Sequence, residues 1–248
     1  MVYQPVARII QDELEVVAYE SLLRVGANHD NRTTLSVITN AERTGTIPSL
    51  DERIAQIACT DAAQLEGMNL WMNMSQVTLS TPRIAKRIAN VIVDHGLSGR
   101  VTVEITETAD GRVPMLLESI LLLNNQNIAV VIDDIEDGFA KSHLLRSDLI
   151  AGCKLSHNST MRMLKDPFYL DTVERLIRWC KSNGKTVVIE GIEGARELNV
   201  VKVLEADYYQ GFHLWAPSPF SELPTPGTRK RIMLPIADTS SVPLSLPA

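Results

Sequence analysis

The chain has 248 residues, 45% of them hydrophobic and 22% charged, and a formal net charge of -6. That length suits one soluble domain with a full core and leaves no room for two barrels, since an α/β barrel takes roughly 250 residues. The acidic balance argues against a nonspecific nucleic-acid binder, and no apolar run reaches the ~18 residues of a membrane span. No basic region followed by an apolar one opens the chain, so the expected location is the cytoplasm. Cys59, Cys153 and Cys180 are odd in number, widely spaced and set among apolar neighbours, which predicts core thiols.

In chain order, the first 24 residues predict a hairpin: VYQPVARII, a turn over Gln11 to Glu13, then LEVVAYESLLR. A helix is expected from near Thr33 to Arg43, and another from Leu50 or Asp51 to about Glu66, with Ile54, Ile57, Ala58 and Leu65 on one face. Thr81-Pro82 opens a helix that ends near His95-Gly96. Val101 to Thr106 predicts a strand, Val113 to Asn125 a helix, and Ile128 to Asp133 a strand buried on both faces. Asp166-Pro167 begins the clearest helix, which stops at Asn183-Gly184. The strand Thr186 to Glu190, a helix Ala195 to Leu204 and a strand Asp207 to Gln210 follow. From about Thr225 to Ala248 the Pro, Ser and Thr content predicts an unpacked tail, with Arg229-Lys230-Arg231 as a solvated charge cluster.

Six of the apolar runs end on a polar residue: Asn73, Glu104, Asp133 with Asp134, Lys154, Glu190 and Gln210. Strand, polar tip and helix, repeated around the chain, is the layout of a β/α barrel whose site collects at the C-terminal ends of its strands. Alone, an Asp-Asp pair is more often a loop start or helix cap, Lys154 half of an ordinary ion pair, and Glu20 a solvent-facing strand residue. Joint placement at successive strand ends favours one shared site. Glu20, Glu104, Asp133, Asp134 and Glu190 gathered in one mouth would repel one another unless cations were bound. Such oxygen-rich sets suit Mg²⁺ or Mn²⁺, and Asn73 adds a neutral oxygen ligand. Asp133 and Asp134 would point to opposite faces in a regular strand, so the strand end must let the second turn across the mouth.

The stretches YQP, YESLLR, NMS, VEITET, VVIDD, CKL, VIEGIE and DYYQGF resemble, in order and spacing, the motifs of the EAL-domain family of cyclic-di-GMP phosphodiesterases. The resemblance runs from residue 2 to about 219. It implies a TIM-like (β/α)8 barrel, usually a homodimer, that hydrolyses cyclic di-GMP to linear pGpG with two divalent ions, Mg²⁺ or Mn²⁺, and that Ca²⁺ inhibits. By position, Glu20, Asn73, Glu104 and Asp133 would hold the first metal, and Asp133 with Asp134 the second. Lys154 and Glu190 stand where the family orients and deprotonates the attacking water. Gln4, Arg24 and Gln210 match positions contacting substrate or metal-bound water, and Glu107 matches the glutamate bracing the loop after the Asp pair.

Three departures from the family pattern stand out. Ser21 replaces an alanine after the naming glutamate. The loop after the Asp pair reads Ile135-Glu136-Asp137-Gly138-Phe139-Ala140 instead of Phe-Gly-Thr-Gly-Tyr-Ser, and Ser156 stands in place of an aspartate. The loop change puts metal affinity or regulation in question, and Ser156 predicts a slower enzyme. The alternative function is a weak or silent barrel that binds cyclic di-GMP or a regulatory partner protein. His213 and Trp215, just after Gln210, offer either a stacking surface for a base or packing against the preceding helix.

Overall fold

The computed structural model describes residues 1–25, 31–106, 113–135 and 142–232. β1 (Val2–Ile10) and β2 (Glu13–Leu22) form the expected antiparallel hairpin, with Gln4 directly opposite Glu20. Helices α1 (Asn31–Arg43) and α2 (Ile47–Ala62) lead to β3 (Leu70–Ser75), and α3 (Gln76–Leu79) and α4 (Pro82–Asp94) to β4 (Val101–Thr106). Next come α5 (Val113–Asn124), β5 (Ala129–Ile135), α6 (Ser142–Leu145), β6 (Gly152–Leu155), α7 (His157–Met163) and α8 (Pro167–Ser182). Then β7 (Thr186–Ile189), α9 (Ala195–Val201), β8 (Tyr208–Tyr209) and β9 (Arg229–Arg231) complete the series. β2 through β8 run parallel in sequence order, and β1, antiparallel to both β2 and β8, closes the barrel.

Helix boundaries follow local chemistry. α2 begins at Ile47, earlier than Leu50, because Pro48 sits in its first turn, where a missing N–H costs nothing. The Asp166 carboxylate accepts from the backbone N–H groups of Phe168 and Tyr169 and caps α8. α7 was not legible as a helix, and its cap is Ser156, whose Oγ accepts from Ser159 N at 3.2 Å. The three cysteines are free and buried, as expected.

The barrel interior is layered. Because strand side chains alternate, the residues two positions from the polar tips also point inward. Val6, Ala18, Trp71, Val131 and Val188 accordingly pack as an apolar cluster of their own, separate from the core between strands and helices. This layer lies directly beneath Gln4, Glu20, Asn73, Asp133 and Glu190, and gives the polar tips a water-excluding floor.

The C-terminal segment differs from expectation. Residues 229–231 form a short, partly exposed strand, and no α-helix follows β8 among the described residues. A 3₁₀ turn (Phe220–Glu222) leads instead to β9, which pairs antiparallel with Glu13 to Glu15 of β2. Arg229, half exposed, also has a partner: it donates to Glu15 through Nε (3.1 Å) and Nη2 (2.9 Å). Lys230 lies 4.2 Å from the centroid of the Trp215 ring. A tail rich in Pro and Thr reads as disorder by composition, yet three residues with a free strand edge and a carboxylate partner suffice to anchor it. Nothing is described for residues 233–248.

Candidate active site

The strand tips converge on one polar mouth. Adjacent tips are in register: Gln4 faces Glu20, and Asn73 pairs with Glu104 on the parallel β3–β4 ladder. Lys154, 1% exposed, lies at the centre. Its Nζ is 2.8 Å from Glu104 Oε2, 3.2 Å from Glu20 Oε2 and 3.6 Å from Asp133 Oδ1, and it also pairs with Glu190. Asn73 donates to Glu20 Oε1 at 2.6 Å. Gln210 donates to Glu20 Oε2 (2.7 Å) and Gln4 Oε1 (3.2 Å), and Gln4 in turn donates to the Trp215 carbonyl.

The Asp pair solves its alternation problem with a bulge. Ile132 pairs with Cys153 and Ile135 with Leu155, so β5 carries one extra residue there. Asp134 takes up the extra length at a φ of 51°, a left-handed conformation that aspartate tolerates better than most residues. Both carboxylates thereby serve one site: an oxygen from each of Asp133, Asp134 and Glu190 lies within 4.8 Å of the others. Gly191 supplies the matching turn after Glu190. Its φ is 69°, and a Cβ there would come within 2.6 Å of His157 Cα.

The charges bear on one another strongly. Burial works to raise the Glu20 carboxyl, but Lys154, Gln210 and Asn73 outweigh it and hold the group below its ordinary value. Burial and the neighbouring Glu20 push Glu104 well above the carboxylate range despite Lys154. Burial, with Asp133 and Glu20, pushes Glu190 up to about 8 against the pull of Lys154. Burial opposes the charge on Lys154, yet the four carboxylates around it raise it well above its usual value.

This donor set fits divalent cations. Five carboxylates face one ammonium, and the buried Glu104 Oε1 accepts no hydrogen bond among the described residues. Hard oxygen ligands with excess negative charge are what Mg²⁺ and Mn²⁺ take. Beside the carboxylates lies a cavity of about 280 Å³, with Gln4, Glu20, Glu190 and Gln210 in its wall and the 60% exposed Phe212 on its border.

Of the residues singled out from sequence, Gln4, Glu20, Asn73, Glu104, Asp133, Asp134, Lys154, Glu190 and Gln210 all meet in this mouth. Arg24 lies just past β2; its guanidinium donates to the Leu23 carbonyl, and burial lowers its pKa against the opposing charge of Glu20. Glu107 and the Glu136 to Ala140 loop fall outside the described residues. Ser156 caps α7, while Lys154 is held by carboxylates from four other strands or strand ends. Phe212, and neither His213 nor Trp215, borders the cavity.

Sequence reasoning missed two supports. Asp51 of α2 accepts from Ser75 N (3.0 Å) and Thr78 Oγ1 (2.5 Å) and so fixes the end of the strand that carries Asn73. Thr160 of α7 donates to the Glu190 carbonyl at 2.5 Å. Neither lies in an alternating run, and a lone Asp or Thr on a helix carries no spacing signal.

A family model described as the EAL domain matches residues 1–217. The oxygen sensor protein DosP of Escherichia coli is 24% identical over 238 residues, covering 90% of this chain and 29% of that protein. The four curated relatives matched are spanned only to 24–30% of their length. Among solved structures, the EAL domain of Mycobacterium smegmatis DcpA is similar with a TM-score of 0.71 at 24% identity, covering 89% of this chain and 93% of that one. A standalone versatile EAL protein from Vibrio cholerae O395, in its c-di-GMP-bound form, gives 0.77 at 18% identity over 92% and 94%. With the family model spanning most of its length and the barrel and polar mouth in place, the chain belongs to the EAL domain family.

Proposed function

We propose that this chain is a metal-dependent phosphodiesterase that hydrolyses cyclic di-GMP to linear pGpG. The observation that carries the reading is the meeting of Asp133, Asp134 and Glu190 within 4.8 Å beside the buried Glu20, Glu104 and Lys154. The c-di-GMP-bound form of the Vibrio cholerae relative supports the choice of ligand.

In this reading Glu20, Asn73, Glu104 and Asp133 would hold one divalent ion, and Asp133 and Asp134 would serve a second. When bound, the ions polarise water and the phosphodiester and neutralise the crowded carboxylates. Glu190, with its pKa raised toward neutrality by burial, accepts a proton from the attacking water. Lys154, the shared counter-ion of Glu20, Glu104, Asp133 and Glu190, offsets their mutual repulsion and holds them together. Gln210 and Gln4 tie Glu20 to the wall of the cavity and offer amide contacts to the ligand. Ser156 caps α7 and brings no charge toward Lys154, so turnover slower than with an aspartate at that position is expected. A homodimer belongs to the same reading, and sedimentation tests it: a chain monomeric at all concentrations counts against it.

The deciding measurement is turnover of cyclic di-GMP with Mg²⁺ and then Mn²⁺, with the linear dinucleotide resolved by chromatography. Linear product is expected, and Glu20→Ala and Glu190→Ala are each expected to lose it while remaining folded. No product together with retained ligand binding would move the assignment to a sensor of cyclic di-GMP.

A further inference from the structure

Glu190 stands just past the end of β7, and its carboxylate pairs with Lys154, an ammonium shared with Glu20, Glu104 and Asp133. A lysine is a point charge with rotatable donors, so it imposes little direction on one partner among four. The aim of the Glu190 carboxylate therefore depends on its backbone, and that backbone is held from β6 and α7. The Glu190 N–H donates to the Leu155 carbonyl at 3.1 Å, and the Glu190 carbonyl accepts from Thr160 Oγ1 at 2.5 Å. A helical threonine ordinarily turns its hydroxyl to a carbonyl of its own helix. The fully buried Thr160 reaches out of α7 to a neighbouring strand end.

The helix that supplies this hydroxyl is itself anchored. Ser156, directly after β6, caps it, and the buried Ser159 shares a 2.7 Å hydrogen bond with the Tyr169 hydroxyl of α8. Gly191, the next residue after Glu190, packs against His157 of the same helix. On the other side of the turn, Ile192 N donates to the Gln210 carbonyl at 3.2 Å. We propose that Thr160 is a positioning residue for the hydrolysis: by holding the Glu190 carbonyl to an anchored helix, it keeps the Glu190 carboxylate aimed at the Asp133–Asp134 pair. The inference rests on the reading of Glu190 as the group that accepts a proton from the attacking water. A misplacement of about 1 Å in such a group costs on the order of 100-fold in rate.

The test is steady-state hydrolysis of cyclic di-GMP with Mg²⁺ by the full chain and by Thr160→Val and Thr160→Ser, at a temperature where all three are folded. Thr160→Val keeps the shape and removes the hydroxyl, and it should lower kcat by roughly tenfold or more with KM unchanged. Thr160→Ser keeps the hydroxyl and should recover most of the lost kcat. Mn²⁺ binding, followed calorimetrically, should be equal in all three, because Thr160 touches none of the proposed metal ligands. Thr160→Ala takes the place of Thr160→Val if that variant does not melt cooperatively. An unchanged kcat, a raised KM in place of a lowered kcat, equal losses in the valine and serine variants, or weakened Mn²⁺ binding would each overturn the proposal. A parent chain without turnover overturns the reading of Glu190 as a proton acceptor and the proposal with it, and the parent alone reveals that outcome.

Discussion

Lys154 is a cation enclosed by Glu20, Glu104, Asp133 and Glu190, and burying that many like charges without it would cost several kcal/mol. Lys154→Met keeps the stem and removes the charge. It should destabilise the metal-free protein by about 3–5 kcal/mol in denaturant unfolding, the usual cost of stripping one partner from a buried pair. Mn²⁺ should recover much of that loss, because a divalent ion supplies the missing positive charge; equal losses with and without Mn²⁺ would mean that Lys154 acts by packing. Asp51 makes a different case. Burial pushes its carboxyl up to about 6, although Thr78 and Ser75 donate to it. The ionised form is thus the less well tolerated in the fold, and its penalty is absent below about pH 4, grows toward pH 6 and is complete above. Asp51→Asn removes the titration and retains an acceptor for Ser75 N. Relative to the parent chain, the variant should gain about 1–3 kcal/mol between pH 4 and pH 7, since each pH unit of displacement is worth 1.36 kcal/mol. A parallel pair of stability curves over that range would refute it.

At the level of elements, the C-terminal strap holds the two strands that carry Gln4 and Glu20. Tyr19, next to Glu20, donates to the Pro224 carbonyl at 2.6 Å, and Tyr3, next to Gln4, exchanges backbone bonds with Ser218. Lys230 covers the Trp215 ring, whose backbone carbonyl receives Gln4. Deleting residues 224–248 should therefore lower the melting temperature and also reduce turnover beyond what the lost stability explains, measured at a temperature where both forms are folded. Unchanged turnover there would limit the strap to a stabilising role. Its composition hid it: Pro224-Thr225-Pro226-Gly227 reads as linker, and a three-residue strand is too short to show alternation. α7 was hidden likewise, being a single short helix capped by a serine that family comparison had marked only as a lost charge. The longer elements were legible because each carried several residues of one period, as β4 and α8 did, together with a start signal such as Thr81-Pro82 or Asp166-Pro167.

For the whole molecule, the barrel and its mouth were legible together, because a polar tip at the end of each apolar run is one pattern with two consequences. It orders the strands, and it places their carboxylates at one end. What the pattern could not supply was local backbone detail: the bulge that turns Asp134 toward Asp133, or the helix-borne Asp51 that steadies β3. The same arrangement makes stability and metal occupancy one property. Glu20, Asn73, Glu104, Asp133, Asp134 and Glu190 come from β2, β3, β4, β5 and the end of β7, so an ion bound among them ties together strands far apart in sequence. Unfolding scatters those ligands, and binding to the native state alone then stabilises by about 2.7 kcal/mol when free metal stands at 100 times its dissociation constant. The melting temperature should rise with Mg²⁺, Mn²⁺ or Ca²⁺ alike and fall back on chelation, because all three accept oxygen ligands. Asp134→Asn together with Glu104→Gln should abolish the rise. A melting temperature indifferent to all three ions would show that the acidic mouth is neutralised by Lys154 and its own protons alone.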